Sequence, residues 1–510
     1  MRPIIETNSG PVEGIEEEYQ GTKGFSFKGI PYAADTSGEN RWRAPQDPDS
    51  WLDPLDASSF GPQCPQFRMG EGGFRGLIAG AYGIETPIEE PPTESEDCLR
   101  LNIYSPDLSP NEKAPVMFWI HGGALRYGSS DQYLPDGIIE KGNVLVTINY
   151  RLGELGFFAH PSINESDQQQ KTNFGLLDQI KALEWVNENI ENFGGDPSNI
   201  TIFGESAGGF SVAALLVSPL SEGLFHQAIV QSGGFARMAL HSAETSEAGF
   251  SAMDIGARFG ELCEVPTGPD QLRLMRELPV EKIIDVGKIG FSSSFFVDGN
   301  SILSPVMNSF EDGLNHKVPT IIGTNADEGT ALYWGSPLAD VPPPINSVEK
   351  YKMIIADKFK ENSEKIMSIY PASDKEEMVK SSKNLLGDSL FGAPSYFAAK
   401  AMAKRGEDIY FYHFNQKPSG KAGELLGAFH AYEIGYVFGV GGLGPIENQD
   451  LSNTMLSYWT NFAVKGDPNS DELPKWETMK SDRDSWHVLG QKVGEEAIDR
   501  MEIYNLLDKV

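Results

Sequence analysis

The sequence predicts an α/β protein: a central, mainly parallel β-sheet with helices on both faces. Three observations lead there. Short runs of β-branched and aromatic residues are apolar throughout, without the polar alternation of a half-solvated sheet. Longer segments with helical patterning separate them, which is the order that builds a parallel sheet. One glycine-framed serine stands between a strand-like run and a helix-like run.

Taken in order, the part up to about residue 60 is rich in turns and short strands. Val116–Ile120, Val144–Ile148, Ile200–Phe203, Ile229–Gln231 and Thr320–Gly323 read as buried strands. Leu176–Asn192 and Gly208–Val217 read as helices between them. Two regions read as additions around a pocket. One is the loop bracketed by Cys64 and Cys98, about 65–97, with an apolar, glycine-rich centre at Met69–Ile84. The other is a helical insertion, about 345–404, introduced by Val341-Pro342-Pro343-Pro344. Insertions this long in a compact protein commonly carry function, often as lids. No internal repeat divides the chain, so 1–510 reads as a single domain with two cap-like insertions.

The chain carries 73 acidic and 41 basic residues, a formal net charge of -32. Such a surface repels nucleic acid and anionic membranes, so no nucleic-acid partner is expected. The acidic runs Glu16–Glu18 and Glu85–Asp97 read as solvated loops. No stretch reaches the roughly 18 apolar residues of a membrane span, and residues 1–20 lack the apolar region of a signal peptide. Three cysteines, Cys64, Cys98 and Cys263, allow at most one internal disulfide and do not have zinc-site spacing.

The strongest chemical signal is Gly204-Glu205-Ser206-Ala207-Gly208, placed after a strand and before a helix. This is the context of a nucleophile elbow, and it narrows the fold to the α/β-hydrolase class. The glycines let a tight turn sit against strand and helix backbone, and the helix N-terminus aims free N–H groups at the serine. A second glycine-rich turn, His121-Gly122-Gly123-Ala124, follows the strand Val116–Ile120 and can present backbone N–H groups to an oxyanion. A serine hydroxyl needs a general base. In this fold the acid and then the histidine follow the serine in the chain, which excludes His121 and His160. His226 and His413 read as packed. His430 lies in a late loop and His487 beside a short strand, so spacing favours His430 without eliminating His487. For the acid, Asp327 and Glu328 after the strand Thr320–Gly323 stand equal on pattern alone.

These residues resemble the type-B carboxylesterase/lipase family, which includes cholinesterases and bacterial para-nitrobenzyl esterases. The resemblance spans nearly the whole chain. It is carried by Phe27-Lys28-Gly29-Ile30-Pro31-Tyr32-Ala33, Arg41-Trp42-Arg43-Ala44-Pro45, Ser95-Glu96-Asp97-Cys98-Leu99-Arg100-Leu101-Asn102, Asn149-Tyr150-Arg151-Leu152-Gly153, Asn173-Phe174-Gly175-Leu176-Leu177-Asp178-Gln179, Phe193-Gly194-Gly195-Asp196-Pro197, the serine motif and Gln231-Ser232-Gly233. It implies a triad of Ser206, Glu328 and His430, and an oxyanion hole from the N–H groups of Gly123, Ala124 and Ala207. Many relatives have a third glycine where this chain has Ala124. It further implies that Ser232 and Glu205 stand behind the triad, and that Cys64 and Cys98 match a pair that relatives bridge, with Cys263 left alone.

The function so implied is hydrolysis of small carboxylic esters through an acyl-enzyme, with no metal or organic cofactor. A lid-gated lipase for longer acyl chains is the alternative, and a non-catalytic adhesion or scaffold homologue the remote one. The loop between Cys64 and Cys98 has no tryptophan to hold a quaternary ammonium, which argues against a cholinesterase. The cysteine pair leans toward a secreted or periplasmic enzyme, with a cytoplasmic one as the alternative. Natural substrate and oligomeric state are not legible.

Overall fold

The computed structural model describes residues 2–68, 73–84, 92–109, 111–163, 172–235, 241–245, 249–288, 294–335, 345 and 347–508. In chain order its strands are β1 (Ile4–Thr7), β2 (Gly10–Glu13), β3 (Ile15–Tyr19), β4 (Thr22–Pro31), β5 (Leu55–Asp56), β6 (Arg100–Ser105), β7 (Ala114–Ile120), β8 (Val144–Ile148), β9 (Gly195–Glu205), β10 (Gln227–Gln231), β11 (Thr320–Asn325), β12 (Ile409–Phe414), β13 (Ser485–Leu489) and β14 (Gly494–Ala497). Strands β1, β2 and β5 form a small separate sheet. The others form one sheet in the order β14-β13-β12-β11-β10-β9-β7-β8-β6-β4-β3. From β8 through β13 every neighbouring pair is parallel. Antiparallel strands close both ends. The α/β-hydrolase architecture expected from the sequence is the one found.

Strand periodicity explains why these runs are apolar throughout. In β7, Phe118 and Ile120 point into one core while Met117 and Trp119 point into another, and all four are fully buried. In β8, Val144, Val146 and Ile148 face the first core and Leu145 the second. Helices Phe174–Asn189 and Ala207–Val217 cover one face, and Gln449–Lys465 covers the other. A sheet buried on both sides has no polar face to alternate with. A buried ion pair, Arg151 Nη2 to Asp178 Oδ1 at 2.6 Å, ties the loop after β8 to the helix Phe174–Asn189.

The two largest boundary differences from the sequence reading are at β9 and the helix before it, and one assignment differs outright. Strand β9 starts at Gly195, five residues before Ile200, and the helix from Phe174 ends at Asn189 before a 3₁₀ turn, Ile190–Phe193. The run Glu16–Glu18 is not a loop: it lies within β3, the edge strand. An edge tolerates charge because one flank stays in water, and lysines of the adjacent strand balance it. Lys23 reaches Glu16 and Lys28 reaches Glu17, each at 3.0 Å.

In the segment 65–97 the described part holds the helix Phe74–Tyr82. Met69–Gly72 at the head of the apolar stretch, residues 85–91 of the second acidic run and the proline run 341–344 lie outside the described residues. Between 345 and 404 stand helices Val348–Phe359, Ser363–Ile369 and Lys375–Gly387, a five-residue π-helix Asp388–Gly392, and helix Ala393–Lys404. The first two and Met378 pack around their own small core of Tyr351, Ile355, Phe359, Ile366 and Tyr370. Helix Ala393–Lys404 lies against β11 and β12. Among the described residues no helix is long and apolar enough to cross a membrane.

Cys64 and Cys98 are bonded to each other across a sequence separation of 34, and Cys263 is a buried free thiol that burial pushes up to about 11. Protein prepared in an oxidising compartment should therefore show no fast-reacting thiol when folded and one after denaturation. In the chain-entropy model, replacing both bridged cysteines by serine should lower the unfolding free energy by about 3–4 kcal/mol. Three titratable thiols, or an unchanged denaturation midpoint, would contradict this.

Candidate active site

Strand β9 ends at Glu205, and the helix Ala207–Val217 begins one residue after Ser206. Ser206 turns the corner at φ 55°, ψ -123°, a conformation that costs a non-glycine residue of order 1–3 kcal/mol. The turn persists because its surroundings fix it. The Ser206 N–H donates to Gln231 O at 3.0 Å. At Gly208 a Cβ would lie 1.9 Å from Ile120 O, so the helix backbone rests directly on the end of β7.

Beside it the chain leaves β7 through His121–Gly128. Gly123 has φ 107°, and a Cβ there would meet Tyr127 O at 1.9 Å. Ala124 follows at φ 55°. Among the described residues the N–H groups of Gly123 and Ala124 donate to no protein acceptor. They line the same cavity as Ser206 and Ala207, the first residue of the helix. Side chains behind the turn hold it open. The His121 imidazole stacks on Tyr150 at 4.5 Å and donates through Nδ1 to Gly122 O. Burial pushes it down to about 4, so it stays neutral. Gln66, two residues from the bridged Cys64, accepts from Gly128 N–H at 2.8 Å and donates back to Gly128 O.

From the far side come Glu328 and His430. His430 Nδ1 and Glu328 Oε2 are 2.6 Å apart. The carboxylate also accepts from the Ser232 hydroxyl at 2.6 Å and from Asn325 N–H at 2.7 Å. The neighbouring Asp327 points elsewhere: it accepts from Ala428 N–H at 2.9 Å and lies 3.4 Å from Lys417 Nζ. His430 Nε2 makes no hydrogen bond and lies 3.2 Å from Glu205 Oε1. Burial disfavours the charged imidazole, but Glu205 and Glu328 outweigh it and lift His430 to about 9. Burial raises Glu205 well above the ordinary carboxylate range, partly opposed by His430 and reinforced by Glu433 and Glu328. Burial, with Glu328, lifts Glu433 to about 7.

Thus Ser206, His430, Glu205, Gly123, Ala124 and Ala207 line one cavity of about 910 Å³, and Glu328 and Ser232 stand behind His430. His487 is not part of it: it stacks on Trp476 at 4.8 Å, with Tyr458 Oη 3.2 Å from Nε2. His413 stacks on Trp486 at 3.9 Å. Two residues escaped the sequence reading. Glu433 accepts from Asn325 Nδ2 at 2.6 Å and from Gln231 Nε2 at 3.3 Å, completing a group of three carboxylates with Glu205 and Glu328. Its signal was a glutamate within an otherwise apolar segment. Phe391, on the π-helix, lies 4.8 Å from the His430 ring, and Phe74 lies 6.3 Å from it. Only the rarity of a π-turn marks Phe391.

Comparison with known proteins agrees with this arrangement at the level of family. The carboxylesterase family model matches residues 1–503. The chain is 34% identical over 503 residues to para-nitrobenzyl esterase of Bacillus subtilis (strain 168), covering 96% of this chain and 95% of that protein. It is also 34% identical over 511 residues to fumonisin B1 esterase of Sphingopyxis macrogoltabida, covering 96% and 87%. A solved structure titled PNB esterase superposes with a TM-score of 0.80 at 31% identity, covering 99% of this chain and all of that one.

The carboxylates around His430 make its titration the sharpest physical test of the site. Glu205→Gln removes a carboxylate that raises the imidazole, so the imidazolium should give up its proton at lower pH than in the wild type. Proton NMR of the downfield imidazolium resonance in 15N-histidine-labelled protein reads this directly. An unchanged titration would mean that Glu205 holds no charge beside the ring.

Proposed function

The chain belongs to the carboxylesterase family and is a serine carboxylesterase, and from that premise we propose that it hydrolyses carboxylic esters with Ser206, His430 and Glu328 as its triad. The observation that carries the reading is an imidazole held by a carboxylate at Nδ1, with Nε2 unpartnered, beside a strained serine in the same cavity. Ser206 Oγ attacks the ester carbonyl and His430 Nε2 takes its proton. The tetrahedral oxyanion lies against the N–H groups of Gly123, Ala124 and Ala207, preorganised donors of the kind worth about 3–4 kcal/mol each in acyl transfer. His430 then protonates the leaving alcohol, and the acyl-enzyme forms. Water, deprotonated by the same nitrogen, releases the acid and restores the serine. Glu328 keeps the imidazole in the tautomer that leaves Nε2 free and balances its charge when protonated. We read the chain as a single catalytic domain in which segments 65–97 and 345–404 cap the pocket.

Replacing Ser206 or His430 by alanine should each lower kcat/KM for a para-nitrophenyl ester by at least about 10²-fold, the usual worth of a general base, with the fold intact by circular dichroism. Glu328→Gln should lose most activity and Asp327→Asn should retain it, because the two adjacent side chains diverge. Activity surviving in the His430 variant and lost in His487→Ala, or the reverse order at 327 and 328, would overturn the assignment.

A further inference from the structure

The whole chain is strongly acidic, yet the cavity wall is not. Among the described residues lining it, Glu205 supplies the one carboxylate, and that group is buried beside His430. Three cationic side chains line the same cavity: Arg68, Arg75 and Lys358. They differ in what they meet. Arg68 is matched by Glu94, with Nη2 2.5 Å from Oε1. Arg75 hydrogen-bonds to the neutral side-chain oxygen of Gln132, itself a cavity residue, and no carboxylate among the described residues reaches it. Four of its five N–H groups remain available to a ligand. Lys358 has no hydrogen bond or ion pair among the described residues and sits over the Phe359 ring at 5.7 Å. Arg75 lines the same cavity as Phe74, whose ring lies 6.3 Å from the His430 ring. In a chain with 32 excess negative charges, two cations without carboxylate partners among the described residues, facing a mostly apolar cavity, are an anion's complement.

We propose that this pocket selects esters carrying a carboxylate away from the scissile carbonyl, on the acyl or the alcohol part, with Arg75 and Lys358 as the specificity-determining residues. The proposal rests on the ester-hydrolase reading above. The overall negative field opposes such a substrate at a distance, but at physiological ionic strength that field is screened within about 8 Å, whereas a direct contact to a guanidinium is not. Arg75 offers its planar fork to the carboxylate, and Lys358 adds a mobile point charge on a long stem.

The test compares kcat/KM in two matched pairs at 0.15 M salt: para-nitrophenyl monosuberate against para-nitrophenyl octanoate, and 4-butyryloxybenzoate against phenyl butyrate. The wild type should prefer the anionic member by about tenfold or more in at least one pair, since a hydrogen bond to a charged group is typically worth about that much. In the double variant Arg75→Gln, Lys358→Gln that ratio should fall toward one, and in Arg75→Lys, Lys358→Arg it should largely survive. Hydrolysis of the neutral esters with a wild-type ratio at or below one in both pairs would overturn this proposal alone. So would a ratio untouched by the double variant. Failure to hydrolyse any of the four esters would remove the ester-hydrolase reading, and this proposal with it.

Discussion

The hydrogen bond between Glu328 and His430 joins residues 102 positions apart, and the rest of the site is arranged around it. It is possible because β9, β10 and β11 run parallel and in neighbouring order, so that Glu205, Gln231 and Asn325 all lie at carboxyl ends on one edge of the sheet. Each supplies something to the same small volume. Gln231 fixes the Ser206 turn through its carbonyl, Ser232 donates to Glu328, and Asn325 donates to both Glu328 and Glu433. A parallel sheet covered on both faces offers such a row of strand ends as a matter of geometry, and ligands of open α/β sheets gather there for that reason.

A second constraint ties the cap to the chemistry. The bridged Cys64 is followed by Gln66, whose amide makes a pair of hydrogen bonds with Gly128. That residue closes the turn that carries Gly123 and Ala124. Both of these hold left-handed backbone, and a left-handed alanine keeps that conformation only where its surroundings over-determine it. The base of the 65–97 segment is therefore part of what holds the turn, and a change in that loop acts on the N–H groups of Gly123 and Ala124 without touching them.

These physical dependencies also explain what the sequence could and could not convey. The alternating burial of β7 and β8 leaves runs of apolar residues, so their strands were legible almost to the residue. The Ser206 turn was legible because close packing at Gly208 admits no side chain, which writes glycine into the sequence at a fixed spacing. Asp327 and Glu328 were not separable by pattern, because the difference lies in which one faces across to His430, and that is set by the loop at Ala428. Glu16–Glu18 was misread because charge marks exposure, and an edge strand is exposed too. Glu433 shows in the sequence only as a glutamate within an apolar segment, and Phe391 has no local signature there. Each resembles an ordinary helix residue until the fold brings it against residues more than a hundred or about forty positions away.

The arrangement of charge around His430 follows from donors rather than from residue type. Three buried carboxylates beside one imidazole cannot all be ionised cheaply, since each uncompensated buried charge costs several kcal/mol. Glu328 accepts three hydrogen bonds. Glu205 accepts none through Oε1 and is pushed upward by burial, and Glu433, with two amide donors, is lifted to about 7. The cluster can thus hold a proton at Glu433 and share one between Glu205 and His430 Nε2, while Glu328 is held by its donors beside the nitrogen that stays protonated throughout the proposed reaction. When Nε2 takes the serine proton in the proposed reaction, the new positive charge appears next to a carboxylate already paired to the ring, and no further counter-ion is needed at the buried imidazole. A surplus of acid that would be costly if fully ionised becomes, with its protons unevenly shared, the electrostatic setting that a buried imidazole base requires.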